Sequence, residues 1–438
     1  MEKNHVKILF ISFYNDEAYG LRILHSIICR QGYDAEMLFL KLNDPRKPLT
    51  EEEKRLLYEK INDFKPHVLA FGLVSPNFGL YKQLYKTIRG LGDFKILIGG
   101  WQASLNPEET IKYCDLLCRG EGEEAITEVM EAVAAGRDFE NIKNIWYNSG
   151  NAVVKNPVRA LIPDLSKYPV CMISNSVNSY IEDNALVKAD PYTINKRYGT
   201  AMGRGCPFSC TYCSNSYMEG ELYPRQWSRI RYRDIDHVIG ELAYVKSMMP
   251  ALEKINFYDE LFMPKPEWAK VFFERYKKEV GLPFYCMFYP GTCREELILM
   301  MKEAGLGGVW VGVQSGSARV RKEIFKRNYT NEAVLAQASL LAKYGISARY
   351  DFIFDNPFET PDEKIETIKL MAALPEPRSF NFFSLKYFPH TQITEMALNA
   401  NIITAASVDD QLEIVSPEYE VSREQRERIL RSIEEMTV

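Results

Sequence analysis

No apolar run in the chain approaches the roughly 20 residues that a membrane-spanning helix needs, and no secretory leader opens it. Those two absences predict a cytoplasmic protein with no membrane span. A basic excess is missing as well: 54 Lys and Arg stand against 59 Asp and Glu, for a net charge of −5. A broad nucleic-acid footprint would be basic, so no nucleic-acid partner is expected. The nine cysteines are odd in number and unevenly placed, which argues against a disulfide framework and for a reducing compartment. Apolar residues are not in short supply. At 46% of 438 residues they are ample for the full cores of two or three domains.

The most informative absence is a fourth cysteine beside Cys206, Cys210 and Cys213, which sit in the run Gly-Arg-Gly-Cys-Pro-Phe-Ser-Cys-Thr-Tyr-Cys-Ser-Asn over 203–215. Cluster ligation normally takes four cysteines. Three thiolates on one loop can hold three irons of a cubane and leave the fourth open to a substrate or cofactor. A structural zinc wants a closed tetrahedron, and no second pair stands at zinc-site spacing. Buried inert thiols are the remaining alternative. The C-x3-C-x2-C spacing, with the aromatic Tyr212 before the third cysteine, resembles the radical S-adenosylmethionine (SAM) superfamily. That resemblance implies a [4Fe–4S] cluster on Cys206, Cys210 and Cys213, with SAM chelating the open iron. It also implies reductive cleavage of SAM to methionine and a 5′-deoxyadenosyl radical, with the Tyr212 backbone presented to adenine.

Before the triad, apolar strand-like runs at 7–13, 35–40, 67–74, 95–100 and 115–119 alternate with helical patterns. Near-continuous apolar strands separated by helices predict a parallel sheet covered on both faces, hence a doubly wound, Rossmann-like α/β domain over 1–138. Ligands in that architecture sit beyond the carboxyl ends of the strands. Ser75, the pair Gly99-Gly100 and the run Gly120-Glu121-Gly122 fall at those ends, where glycine lets backbone approach a flat ligand. Together they resemble the cobalamin-binding domain found in one branch of the superfamily and are expected to bind cobalamin. The loop after the first strand, 14–20, contains no histidine, so the Asp-x-His-x-x-Gly signature of a lower cobalt ligand is missing. A plain βα turn also accounts for Gly-Gly. Residues 139–197 are expected to form a connector with a hairpin near Ser149-Gly150-Asn151, and no function attaches to the polar stretch 174–192.

From 198 to 400 six longer βα units are expected, with strands at 199–203, 254–258, 284–289, 309–314, 348–354 and 381–387. They match the partial (βα)6 TIM-type barrel of the superfamily, which places chemistry at the carboxyl ends of its strands. By resemblance, Asp259 and Glu260 after the second strand lie near the amino group of SAM, although a helix cap also explains either acid. Gln314 and Ser315 after the fourth strand suit its ribose and carboxylate, although a Ser-capped turn is the plainer account. Arg349 and Asp351 share one face of the fifth strand by its period of two. Asp355 and Phe358, and likewise His390, replace glycines of the family pattern, which puts the local backbone path in question. Cys286 and Cys293 are read chiefly as packing, and Cys114 and Cys118 as core. Residues 401–438 are expected to end in a charged helical tail, and no auxiliary cluster is expected.

The expected activity is radical SAM chemistry, with cobalamin-dependent methyl transfer to an unactivated carbon as the main reading. Non-methylating rearrangement, cyclisation, epimerisation or excision is the first alternative, and a non-catalytic metal-binding protein the second. The expected partners are a small-molecule or peptide substrate and an external one-electron reductant of flavodoxin or ferredoxin type. No residue is singled out as a general base or hydrogen donor.

Overall fold

The computed structural model describes residues 5–42, 47–150, 152–292, 294–408 and 421–437. The chain divides into two compact units, the first mostly residues 5–196 and the second mostly residues 197–437.

The first unit is built on a sheet with strands β1 (Lys7–Phe13), β2 (Asp34–Leu40), β3 (Val68–Gly72), β4 (Lys95–Gly99), β5 (Leu116–Cys118), β6 (Ile145–Asn148), β7 (Val153–Lys155), β8 (Asn178–Glu182) and β9 (Ala185–Val187). Its order is β7-β6-β5-β4-β3-β1-β2-β8-β9, parallel from β5 to β8, with an antiparallel hairpin at each end. Strand β1 shows why the sheet is covered twice. Ile8 and Phe10 enter one core with Ile27 and Val129, from the helices Tyr19–Arg30 and Glu123–Ala135. Leu9, Ile11 and Phe13 enter the other with Leu57 and Tyr81, from the helices Glu51–Phe64 and Ser75–Arg89. A period of two in which both faces are apolar leaves no polar side, so the strands read as unbroken apolar runs. Thr50 and Glu53 form a reciprocal capping box that starts the helix Glu51–Phe64.

The segment read as a connector supplies four of these strands. The expected hairpin is β6–β7, with its turn residue Asn151 outside the described residues. The hairpin β8–β9 lies in the polar stretch that carried no assignment, and β8 pairs parallel with β2. Helix Ser75–Arg89 begins earlier than expected because Pro76 fits its first turn, so Ser75 lies on a helix.

A buried arginine ties this unit together. Arg22, with no exposed surface, donates to both oxygens of Asp190 at 2.9 Å and to the carbonyls of Glu17 and Asp16 at 2.8 and 3.0 Å. Its guanidinium lies 4.5 Å from the Phe39 ring and 3.9 Å from that of Tyr192. The chain around Asp190 and the loop after β1 are therefore held by one cation.

In the second unit the parallel strands β10 (Arg197–Thr200), β13 (Lys254–Phe257), β14 (Phe284–Phe288), β15 (Leu306–Gln314), β16 (Ser347–Phe354) and β17 (Arg378–Ser384) follow chain order. No pairing joins β10 to β17 among the described residues, so the six βα units make an open, partial barrel. A two-stranded ribbon, β11 (Gly203–Arg204) with β12 (Arg231–Tyr232), stands apart from that sheet. The first barrel strand thus ends at Thr200, earlier than expected. The C-terminal helix Arg423–Thr437 follows a bond from the Val421 amide to the Phe382 carbonyl at 3.0 Å. This partly satisfies the edge of β17, which would otherwise be an open template.

Replacing Arg22 with Met leaves Asp190 buried without its counter-charge. The expected loss is about 3–5 kcal/mol, read as a lower urea midpoint for the first unit by hydrogen exchange or intrinsic fluorescence. An unchanged midpoint would show that water reaches Asp190.

Candidate active site

The cysteine loop follows β11, and its path is dictated from outside. Gly205 takes φ +110°, and a Cβ there would stand 2.5 Å from the Trp227 carbonyl, so only glycine fits without displacing backbone. The Cys206 amide then donates to that same carbonyl at 3.2 Å. The Cys213 amide closes a turn on the Cys210 carbonyl at 3.1 Å. Between them Thr211 donates from its amide to Phe325 (3.2 Å) and from its hydroxyl to Ile324 (2.6 Å), and it accepts from the Ile393 amide at 3.0 Å. Cys206 and Cys210 are buried, and Cys213 is half-buried. Burial, with the neighbouring thiols adding to it, pushes Cys206 up to about 12. Burial likewise pushes Cys213 up to about 11.

The two acids after β13 face the entry to this loop. Asp259 accepts from the amides of Met202 (3.1 Å) and Gly203 (2.8 Å). Burial pushes its carboxyl up to about 7 against those two bonds. Burial also raises Glu260, opposed by Arg204 and a bond from the Gly205 amide. Both acids thus brace the segment 202–205.

The end of β15 is irregular. Its register with β16 shifts between Gly312 and Gln314, and Gln314 takes φ 72°. The Oε1 of Gln314 is buried with no hydrogen-bond partner. Ser315 differs. Its hydroxyl donates to Glu359 at 3.2 Å, accepts from the Ser317 amide at 3.1 Å and lies 3.3 Å from the Thr367 hydroxyl. Those bonds make Ser315 a satisfied turn residue. Burial pushes Glu359 up to about 7.

On β16, Arg349 is exposed and donates weakly to Ser379 at 3.3 Å. Asp351 on the same face accepts from Asn381 at 2.8 Å, and burial pushes it up to about 6. Asp355 and His390 adopt φ 57° and 62°, the left-handed conformation a glycine would have taken, so the backbone path survives both replacements. His390 stacks on Tyr217 with centroids 5.5 Å apart.

A residue not singled out in the sequence connects these parts. Arg327, which follows the π-helical turn Val320–Ile324, places its Nη1 3.5 Å from the Cys210 sulfur and 2.9 Å from the Tyr212 hydroxyl, to which it donates. Its Nη2 donates to the Gly312 carbonyl at 2.5 Å. Tyr289 stacks on Phe208 of the cysteine loop at 3.9 Å and offers Arg327 its ring at 4.4 Å.

In the first unit the expected ligand residues line one edge of the sheet. Ser75 is buried, and its hydroxyl has no hydrogen-bond partner. Gly100 takes φ +90°, and a Cβ there would stand 2.6 Å from the Leu73 carbonyl. Ser104 donates to the Gly100 carbonyl (3.0 Å) and accepts from the Gly120 amide (2.9 Å), joining the two glycine loops. Asn144 donates to the carbonyls of Arg119 (2.7 Å) and Glu121 (3.0 Å). Gly99 and Gly122 both pack against Cys118, which together with Cys114 and Cys286 is buried in core. Cys293 lies outside the described residues.

Residues 200–371 match the radical SAM superfamily, and residues 6–130 match the B12 binding domain. An uncharacterized methyltransferase of Pyrococcus horikoshii is 28% identical over 314 residues, which cover 70% of this chain and 64% of that protein. An anaerobic magnesium-protoporphyrin IX monomethyl ester cyclase of Rubrivivax gelatinosus is 24% identical over 340 residues, 74% of this chain and 56% of the cyclase. The chain therefore spans between about half and two thirds of these relatives. The solved structure of the radical SAM methyltransferase TsrM from Kitasatospora setae is 19% identical. It covers 90% of this chain and 76% of its own with a TM-score of 0.72. The cobalamin-dependent radical SAM enzyme OxsB covers 93% of this chain and 56% of its own at a TM-score of 0.64 and 16% identity. At such identities the likeness establishes the fold. The second unit is a radical SAM domain. The chain thus carries a radical SAM domain over 200–371, preceded by a B12 binding domain over 6–130.

The residues present fit the groups this family implies. Among the described residues no three His, Cys, Asp or Glu side chains converge on a single ion position, whereas each iron of a cubane takes its own cysteine. The fit rests instead on three thiols held on one loop, buried or half-buried, with the Arg327 guanidinium 3.5 Å from the Cys210 sulfur. Buried polar atoms are nearly always paired, and the Gln314 Oε1 and Ser75 Oγ are among the buried side-chain atoms with no partner within the protein.

Replacing Gly205 with Ala forces a left-handed alanine, at about 1–2 kcal/mol, into the Trp227 carbonyl. Iron retained after anaerobic reconstitution is expected to fall at least threefold. Wild-type iron content would show that the loop tolerates the shift.

Proposed function

We propose that the chain is a cobalamin-dependent radical SAM methyltransferase acting on an unactivated carbon of a small-molecule or peptide substrate, supplied with electrons by a flavodoxin- or ferredoxin-type reductant. The observation that carries this reading is the three-thiol loop, short of a fourth ligand, at the carboxyl end of an open barrel that follows a B12-type sheet. We assign the cobalamin domain to 1–138, the connecting strands to 139–197, the radical SAM barrel to 198–400 and the tail to 401–438. When bound, these groups supply a 5′-deoxyadenosyl radical from SAM and a methyl group carried on cobalt.

This chain's residues supply the setting. Cys206, Cys210 and Cys213 hold the irons, each giving up its thiol proton on binding. Asp259 and Glu260 keep 202–205 in place, and Glu260, only partly covered, is the acid left for the amino group of SAM. The Gln314 amide oxygen accepts from a SAM hydroxyl or amine, while Ser315 shapes the turn. Arg349, exposed on its strand, meets a carboxylate, and the Tyr212 backbone meets adenine. In the first domain the Ser75 hydroxyl and the Gly99, Gly100, Gly120, Glu121 and Gly122 backbone cradle the corrin.

A non-methylating radical reaction is the second reading. It is favoured by the histidine-free loop after β1, whose backbone Arg22 fixes, and by the likeness to a cyclase.

Oxygen-free protein reconstituted with iron and sulfide is expected to carry about four of each per chain and to cleave SAM to 5′-deoxyadenosine. Cys210→Ala is expected to abolish that cleavage; retained cleavage would overturn the radical reading. Hydroxocobalamin is expected to give a bound corrinoid spectrum that Gly100→Ala weakens. A cluster-loaded protein that binds no corrinoid would move the assignment to the second reading.

A further inference from the structure

We propose that Arg327 is a positioning residue that sets the reduction potential of the cluster, acting through the Cys210 sulfur; this rests on the radical SAM reading above. Arg327 is 7% exposed, and none of the ion pairs among the described residues includes it. A buried guanidinium without a counter-ion is strongly unfavourable. Its partners are the neutral Tyr212 hydroxyl, the Gly312 carbonyl, the Tyr289 ring and the Cys210 sulfur at 3.5 Å. The Nε has no partner at all. The Asp351 carboxyl is near enough for Arg327 to favour its ionised form but makes no ion pair with it; of the groups in direct contact only the sulfur becomes an anion, which it does when it ligates iron. The thiolate–cluster assembly is therefore the charge that Arg327 was placed to meet.

The placement is also stiff. Tyr289 stacks between Phe208 of the cysteine loop and the guanidinium, and the Tyr329 hydroxyl donates to the Val313 carbonyl, holding a second ring 5.4 Å from the cation. A fixed cation in a dry site favours added negative charge far more than one in water. One electron passes from the flavodoxin- or ferredoxin-type donor to the cluster, which goes from the 2+ to the 1+ state with no proton transferred. Arg327 stabilises the reduced state.

The test is a redox titration of the reconstituted holoenzyme without SAM, followed by the electron paramagnetic resonance signal of the reduced cluster. Arg327→Met, Arg327→Lys and the control Lys322→Met, exposed on the neighbouring turn, are compared with wild type at matched iron and sulfide content. Arg327→Met is expected to lower the reduced-to-oxidised ratio at fixed potential at least tenfold, which is about 59 mV for one electron. Arg327→Lys is expected to recover most of that shift, and Lys322→Met to leave the ratio within twofold. A fully loaded Arg327→Met with an unchanged ratio overturns the proposal, as does an equal shift in Lys322→Met. If Arg327→Met cannot retain iron, Arg327→Lys decides. A loaded Lys variant near the wild-type potential supports the charge role, and loss of the cluster there too makes Arg327 merely structural. Wild-type protein that takes up no cluster fails the radical SAM reading instead, before any variant is compared.

Discussion

The cysteine loop has no sheet to belong to, and the site depends on how that is resolved. A segment outside regular structure must find partners for its backbone groups elsewhere. This one finds them at Trp227, at Ile324 and Phe325, and at Ile393, while Asp259 holds the residues just before it. Those anchors come from four separate βα units. The loop is thus a readout of whether the barrel has assembled, and ligand geometry follows from packing that lies far away in sequence.

The same logic explains the acids. Asp259, Glu359 and Asp351 sit near strand ends with carboxyls raised to about 7, 7 and 6, in each case by burial before any charge effect. Each accepts at least one hydrogen bond in place of water. Burial disfavours the ionised form of all three carboxyls, and Arg327 places a positive charge beside the Cys210 sulfur. The electrostatics of the barrel mouth therefore lean one way: toward accommodating an anion that the protein itself does not provide.

How much of this was legible in the sequence follows from separation along the chain. The three thiols lie within eight residues, so their chemistry could be read without a fold. Strands β1 to β5 could be read because burial on both faces writes itself as unbroken apolar runs. Strand β8 could not, since Asn178 and Ser179 are buried polar residues and carry no such pattern. Ser315 reads as a ligand by motif, yet its hydroxyl is engaged by Glu359 and Ser317, which only the fold reveals. Arg327 lies 117 residues from Cys210 and is followed by Asn-Tyr-Thr at the end of a charged run, which reads as ordinary surface. Asp355 and His390 show the converse. Glycine was not needed there, because these side chains find partners in the left-handed conformation, Asp355 with Ser384 at 2.6 Å and His390 with Tyr217.

The first domain poses a physical question of its own. A flat ligand lying along the sheet edge needs close backbone at β4 and β5, and the glycine loops there are tied to each other through Ser104 and to the later chain through Asn144. At β1 the chain provides the opposite. The loop carries no imidazole, and Arg22 draws the carbonyls of Asp16 and Glu17 inward, so this edge offers fixed backbone and no histidine. Holding a corrin along this sheet would therefore fall to the Ser75 hydroxyl and the glycine backbone, with no imidazole from the loop after β1.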